Sequence, residues 1–200
     1  MLLIPEPLEA YLRFSHYMDG DHPAVQQKAA ELASAAKDDV QLARAAYHFV
    51  RDEIRHSWDA QDRRVTVTSS DALREGVGIC WAKANLLAAL LRANRIPAGI
   101  CYQRLTLGDT PDTGYCVHAL NAVYLDSLQR WIRLDARGNK EGVQAEFSTE
   151  RERLAFPVRP AYDEIDYPTV YAEPLPMTMR ILENSTDALY MYLHALPEQI

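Results

Sequence analysis

Cysteine is scarce in this chain, and positive charge falls short of negative. Three cysteines (Cys80, Cys101 and Cys116) stand among 200 residues. An odd count without framework spacing excludes a disulfide scaffold and suits free thiols in a reducing compartment. Lys and Arg total 21 against 28 Asp and Glu, a formal net charge of −7. That balance argues against a nucleic-acid surface and against a patch for anionic membranes. No apolar run is long enough to span a bilayer, the best one stopping at Arg92 and Arg95. The start, M-L-L-I-P-E-P-L-E, carries no basic residue and is broken by prolines, so it does not read as a secretory signal. The expectation is a cytoplasmic protein with neither membrane nor nucleic acid as partner. Glycine is sparse too, eight in all, yet Gly76 and Gly78 stand just ahead of Cys80.

What is present is ordinary globular material, 48% hydrophobic and 24% charged, enough for the core of one domain. The organising stretch is residues 71–94, D-A-L-R-E-G-V-G-I-C-W-A-K-A-N-L-L-A-A-L-L-R-A-N. Ser69, Ser70 and Asp71 read as a turn-prone lead. From Cys80 onward come strong helix formers, with Lys83, Asn85 and Arg92 the only polar residues between Trp81 and Ala93. A helix that apolar on nearly all sides is expected inside a core. Its first residue is a thiol, among unpaired N–H groups and the positive end of the helix dipole, which favour thiolate. The plainer reading of Cys80 is a small apolar residue entering a core.

Before this stretch, Asp21-His22-Pro23 predicts a helix over 23–37, and the 3–4 spacing of Val40, Ala43, Tyr47, Val50 and Ile54 a second to about His56. His48 and His56 read as structural. Residues 65–68 are β-prone. After it, strands are expected over 98–107, 115–125 and 130–136, then a Pro-rich segment from 157 that wraps the surface, and a helix over 186–196. Helices first and strands after predict an α+β fold, the central helix packed on an antiparallel sheet. Residues 1–156 form the main body, and 157–200 belong to the same domain.

The hairpin yields to arithmetic. If Leu125 pairs with Arg130, Asp135 faces Leu120, and His118 shares that face two residues away. His118 and Asp135 are then diagonal cross-strand neighbours, about 7–8 Å apart at the backbone and within side-chain reach. Such a carboxylate orients an imidazole that takes a nucleophile's proton.

G-V-G-I-C-W with its Ala/Leu helix and R-A-N-R-I-P-A, then V-H-A-L-N-A-V-Y, then R-W-I-R-L-D, resemble the transglutaminase-like superfamily, which shares its core with papain-type cysteine proteases. The resemblance covers roughly residues 40–140. It implies Cys80 as nucleophile, His118 as base and Asp135 as orienting carboxylate. The implied function is a thiol enzyme acting on amide, peptide or isopeptide carbonyls of a peptide, protein or small amide, with no cofactor and no metal. Members often carry an aromatic two residues past the histidine and Pro-Thr after the aspartate; here stand Leu120 and Ala136-Arg137. Trp81 and Arg137 are the candidate substrate-binding residues, Arg137 for a substrate carboxylate unless it is merely solvated.

Two rivals stand beside this reading. Cys80, Cys116 and His118 form a conceivable zinc set, but Cys-x-His is not a usual zinc spacing and no Cys-x-x-Cys supports it. The other is a non-catalytic domain that keeps the fold to hold a peptide or partner.

Overall fold

A computed structural model describes all residues, 1–200. Asp21-His22-Pro23 opens α1 (Pro23–Ala33): the His22 ring accepts from Ala24 N at 3.2 Å and Pro23 sits in the first turn. The helix ends four residues short of the expected 37. Asp38 caps α2 (Asp39–His48), accepting from Gln41 N at 2.7 Å.

The expected run of α2 to His56 does not occur. The helix widens into a π turn over Phe49–Glu53, and Arg55–His56 becomes a two-residue strand, β1. The cause is tertiary. Lys83, buried in the central helix, donates to the carbonyls of Arg51 (3.3 Å) and Ile54, drawing them out of the helical ladder. Residues 65–68, read as β-prone, form no strand.

Ser69–Asp71, expected as a turn, instead begins α3 (Ser69–Glu75). Thr68 Oγ1 accepts from Asp71 N at 3.1 Å, and the Asp71 carboxylate accepts from Thr68 N at 3.3 Å, a reciprocal capping box. Gly76 closes this helix at φ +63°, a conformation glycine adopts without Cβ strain. The chain then forms β2 (Val77–Gly78), parallel to β1, with His56 opposite Gly78. A Cβ on Gly78 would stand 3.0 Å from both the Ala82 Cβ and the Thr66 Oγ1.

Two residues later α4 (Cys80–Ala93) begins, and it is buried from Trp81 through Arg92. Leu86, Leu87, Leu90 and Leu91 are fully buried, each contributing about 1.5–3 kcal/mol of apolar burial. Arg92 is buried as well, its guanidinium donating to the Ala98 carbonyl at 2.7 and 3.0 Å and to Arg13 and Ala172 carbonyls.

The sheet contains β3 (Ala98–Thr106), β4 (Tyr115–Leu125), β5 (Arg130–Leu134) and β6 (Ile165–Asp166) in the order β5-β4-β3-β6, every pairing antiparallel. The hairpin pairs Leu125 with Arg130 and Asn121 with Leu134, as the arithmetic required. β5 stops two residues short of Ala136, so β4 upstream of Asn121 has no β5 partner. Val117, Ala119 and Val123 pack in the main core with α4, whereas Leu120 and Ala122 join Tyr11 and Cys101 in a smaller cluster. The fold is α+β, the central helix on an antiparallel sheet.

Residues 157–200 wrap this body. Their strand, β6, is a two-residue edge, as the prolines demand. An unforeseen helix, α5 (Pro176–Glu183), starts on Pro176 and sends Met179 and Leu182 into the main core. The last helix, α6 (Ala188–His194), is shorter at both ends than the expected 186–196 and is capped by Asp187. No helix is long and apolar enough to cross a membrane.

Candidate active site

Cys80 is the first residue of α4, after an Ile79 cap position that offers no side-chain hydrogen bond. The first N–H groups of this helix therefore keep their hydrogen-bonding capacity. The helix begins at the open edge of β4: the Trp81 indole N–H donates to Val117 O at 2.8 Å. The next residue, His118, lies on the Leu120 face of β4 by strand alternation. Cys80 and His118 meet on one cavity, the sulfur a hydrogen-bond partner of the ring.

His118 Nε2 and Asp135 Oδ2 are 2.9 Å apart, with both side chains buried. Asp135 accepts further from Arg137 N and from Ala155 N, each at 3.1 Å. Phe156 meets the imidazole edge-on, 5.3 Å between ring centres. With Nε2 taken by the carboxylate, Nδ1 is the ring nitrogen left for chemistry.

Burial works against a charged His118, but Asp135 and then the Cys80 sulfur outweigh it, and its pKa rises to about 10. Although burial alone would raise Asp135, His118 and the two backbone donors bring it below the usual carboxylate value. Burial pushes the other two thiols up to about 12.

Cys80, His118 and Phe156 open on a cavity of about 430 Å³. Trp81 lies on its wall, 1% exposed, with its N–H already committed. It supplies surface there and no free donor. Arg137 is neither solvated nor free. It is 5% exposed, and both terminal nitrogens donate to Asp59, which also accepts from Lys140 Nζ at 2.9 Å. Cys116 lines the cavity while Cys101 faces the smaller cluster.

Sequence reasoning missed a second histidine. His56, read as the last turn of a helix, stands in β1 on the cavity wall, 6% exposed. Its Nδ1 has no hydrogen-bond partner and lies 4.0 Å from Asp59 Oδ2. Burial first, then the Arg137 charge, hold it well below the free histidine pKa. Tyr192 of α6 completes this wall, stacked on Trp58 at 4.4 Å. No local pattern announced His56 or Tyr192; both arrive through long-range packing.

The profile of the transglutaminase-like superfamily matches residues 26–136, more than half the chain. The chain belongs to the transglutaminase-like superfamily. Among solved structures it resembles a candidate cysteine protease from Cytophaga hutchinsonii, at 22% identity and TM-score 0.53, over 65% of this chain and 42% of that one. It also resembles the periplasmic domain of TgpA from Pseudomonas aeruginosa, at 20% identity and TM-score 0.46, over 66% of this chain and 48% of that one. This superfamily chain spans less than half the length of either structure. No curated protein sequence matches it. The superfamily is often cysteine-dependent, and the chain shares its fold.

Proposed function

We propose that the protein is a thiol-dependent enzyme acting on amide, peptide or isopeptide carbonyls through an acyl-thioester on Cys80. The observation that carries this reading is the 2.9 Å His118–Asp135 bond beside a cysteine at an uncapped helix start.

The Cys80 thiolate attacks the carbonyl carbon, and the carbonyl oxygen becomes an oxyanion facing the N–H groups of the first turn of α4. His118, held as imidazolium by Asp135, gives its proton to the departing amine. The neutral imidazole then takes a proton from water or an acceptor amine, which attacks the thioester and releases Cys80. Asp135 supports the ring throughout and is not itself protonated. Three unpaired thiols suit a reducing compartment, and we place the protein in the cytoplasm with an amide-bearing small molecule, peptide or protein as its substrate.

Sub-stoichiometric iodoacetamide at neutral pH tests the reading, followed by peptide mapping. Label is expected mainly on Cys80, because burial keeps Cys101 and Cys116 protonated. Preferential labelling of either of those overturns it.

A further inference from the structure

The cavity at Cys80 is bounded by segments that are pinned, and the pins decide what can reach the sulfur. Residues 157–164 form one wall. Its Glu164 carboxylate is buried and accepts from Thr106 N at 3.1 Å and Arg159 N at 2.7 Å, while Arg159 Nη2 bonds Thr106 Oγ1 at 2.6 Å. A second wall is the loop after Asp135. Lys140 and Val143 exchange two backbone bonds of 3.0 Å, Asn139 Oδ1 accepts from Ala145 N at 2.8 Å, and Arg51 Nη1 donates to Ala145 O at 2.9 Å. The third is the strap that follows α6. Leu196 lines the cavity, Pro197 O accepts from Val117 N at 2.9 Å, and Glu198 O accepts from Arg104 Nε at 2.9 Å.

The strap matters most. Val117 directly precedes His118, and its N–H lies on the edge of β4 that β5 leaves unpaired, a position where an extended chain beside the cavity would pair. That edge position is already filled by the chain's own carbonyl. A volume of about 430 Å³ sits low in the range of about 300–1,000 Å³ usual for small-molecule sites. Recognition of a folded protein commonly takes about 800 Å² of surface on each partner, which a walled cavity does not present to its reactive atom.

Resting on the acyl-transfer reading of Cys80, we infer that the site takes small amides or short peptides and excludes a polypeptide passing through it. Apolar surface from Leu105, Val143, Phe156 and Leu196 receives the acyl group.

Two reagents with one warhead test this: free iodoacetamide, and the same group on the middle residue of a long flexible peptide. Each rate is normalised to that reagent's rate with a free cysteine peptide. On Cys80 the peptide-borne reagent should be slower by roughly tenfold or more, about 1.36 kcal/mol of barrier. Equal normalised rates overturn the inference while leaving Cys80 as nucleophile. Failure of free iodoacetamide to label Cys80 takes down the acyl-transfer reading, and this inference with it. Leu196→Ala trims the strap without touching Cys80, His118 or Asp135, and should raise the peptide-borne rate roughly threefold. An unchanged rate overturns the strap as the excluding wall.

Discussion

Two histidines, each beside an aspartate, face the same cavity in opposite charge states. His118 lies 2.9 Å from Asp135 and holds its proton up to about pH 10. His56 lies 4.0 Å from Asp59 and is neutral at physiological pH. Burial disfavours charge on both rings, so burial does not separate them. The aspartates' other obligations do. Asp135 receives two backbone N–H groups, which are neutral and leave its full charge for the imidazole. Asp59 receives Arg137 and Lys140, two cations that outweigh it and repel a third. A histidine's state is set less by its nearest carboxylate than by what that carboxylate already holds.

The largest expected effect comes from breaking the tight pair. Asp135→Asn should lower turnover, or thiol alkylation as its proxy, by roughly 10² to 10⁴, the analogous serine-triad loss being about 10⁴. Asp59→Asn is the matched control and should change that rate less than about tenfold. Its cost falls on the fold, up to about 3 kcal/mol by chemical denaturation, because Arg137 loses its carboxylate. Equal rate losses in the two variants would mean that Asp135 does not orient His118.

The second expectation concerns pH. The folded pKa of His118 lies above the unfolded value of 6.5. The stabilisation from its charged form is therefore complete below about 6.5 and lost as pH rises through about 10. Turnover that needs the imidazolium should fall over that upper limb, read from a pH profile of kcat/KM. In Asp135→Asn the limb should move to lower pH, since burial then acts with less opposition. A limb that stays near 10 would assign it to another group.

Smaller effects test the loose pair. Arg137→Gln removes the first charge acting on His56, and an NMR titration should find its pKa raised; no movement would leave burial as the sole cause. Lys140→Met should cost about 0.5 kcal/mol or less in thermal unfolding, since its ion pair with Asp59 is partly open to solvent. A larger loss would show that Asp59 depends on both cations.

The sheet and the tight pair were legible in the sequence because both are local. A short connection fixed the register from Leu125–Arg130 onward, and strand alternation placed His118 and Asp135 on one face. α3 was legible as well, since Thr68-Ser69-Ser70-Asp71 has the spacing of a capping box, and the polar run was read as a turn instead. Pro176 likewise marked the first turn of α5 inside a segment read as irregular. The loose pair was not legible. His56 owes its place to Lys83 pulling carbonyls from a helix end and to a two-residue parallel ladder, neither with a local signal. Tyr192 and Leu196 reach the cavity only because residues 157–200 return across the body.

Val117 has a consequence beyond the reaction. Where β5 stops, β4 would display bare backbone groups beside the cavity, and an exposed strand edge recruits other chains. The Trp81 indole covers the Val117 carbonyl and Pro197 covers its N–H. At Val117, beside the Cys80 end of α4, the protein's own helix and tail thus occupy the backbone groups that another strand would otherwise pair with.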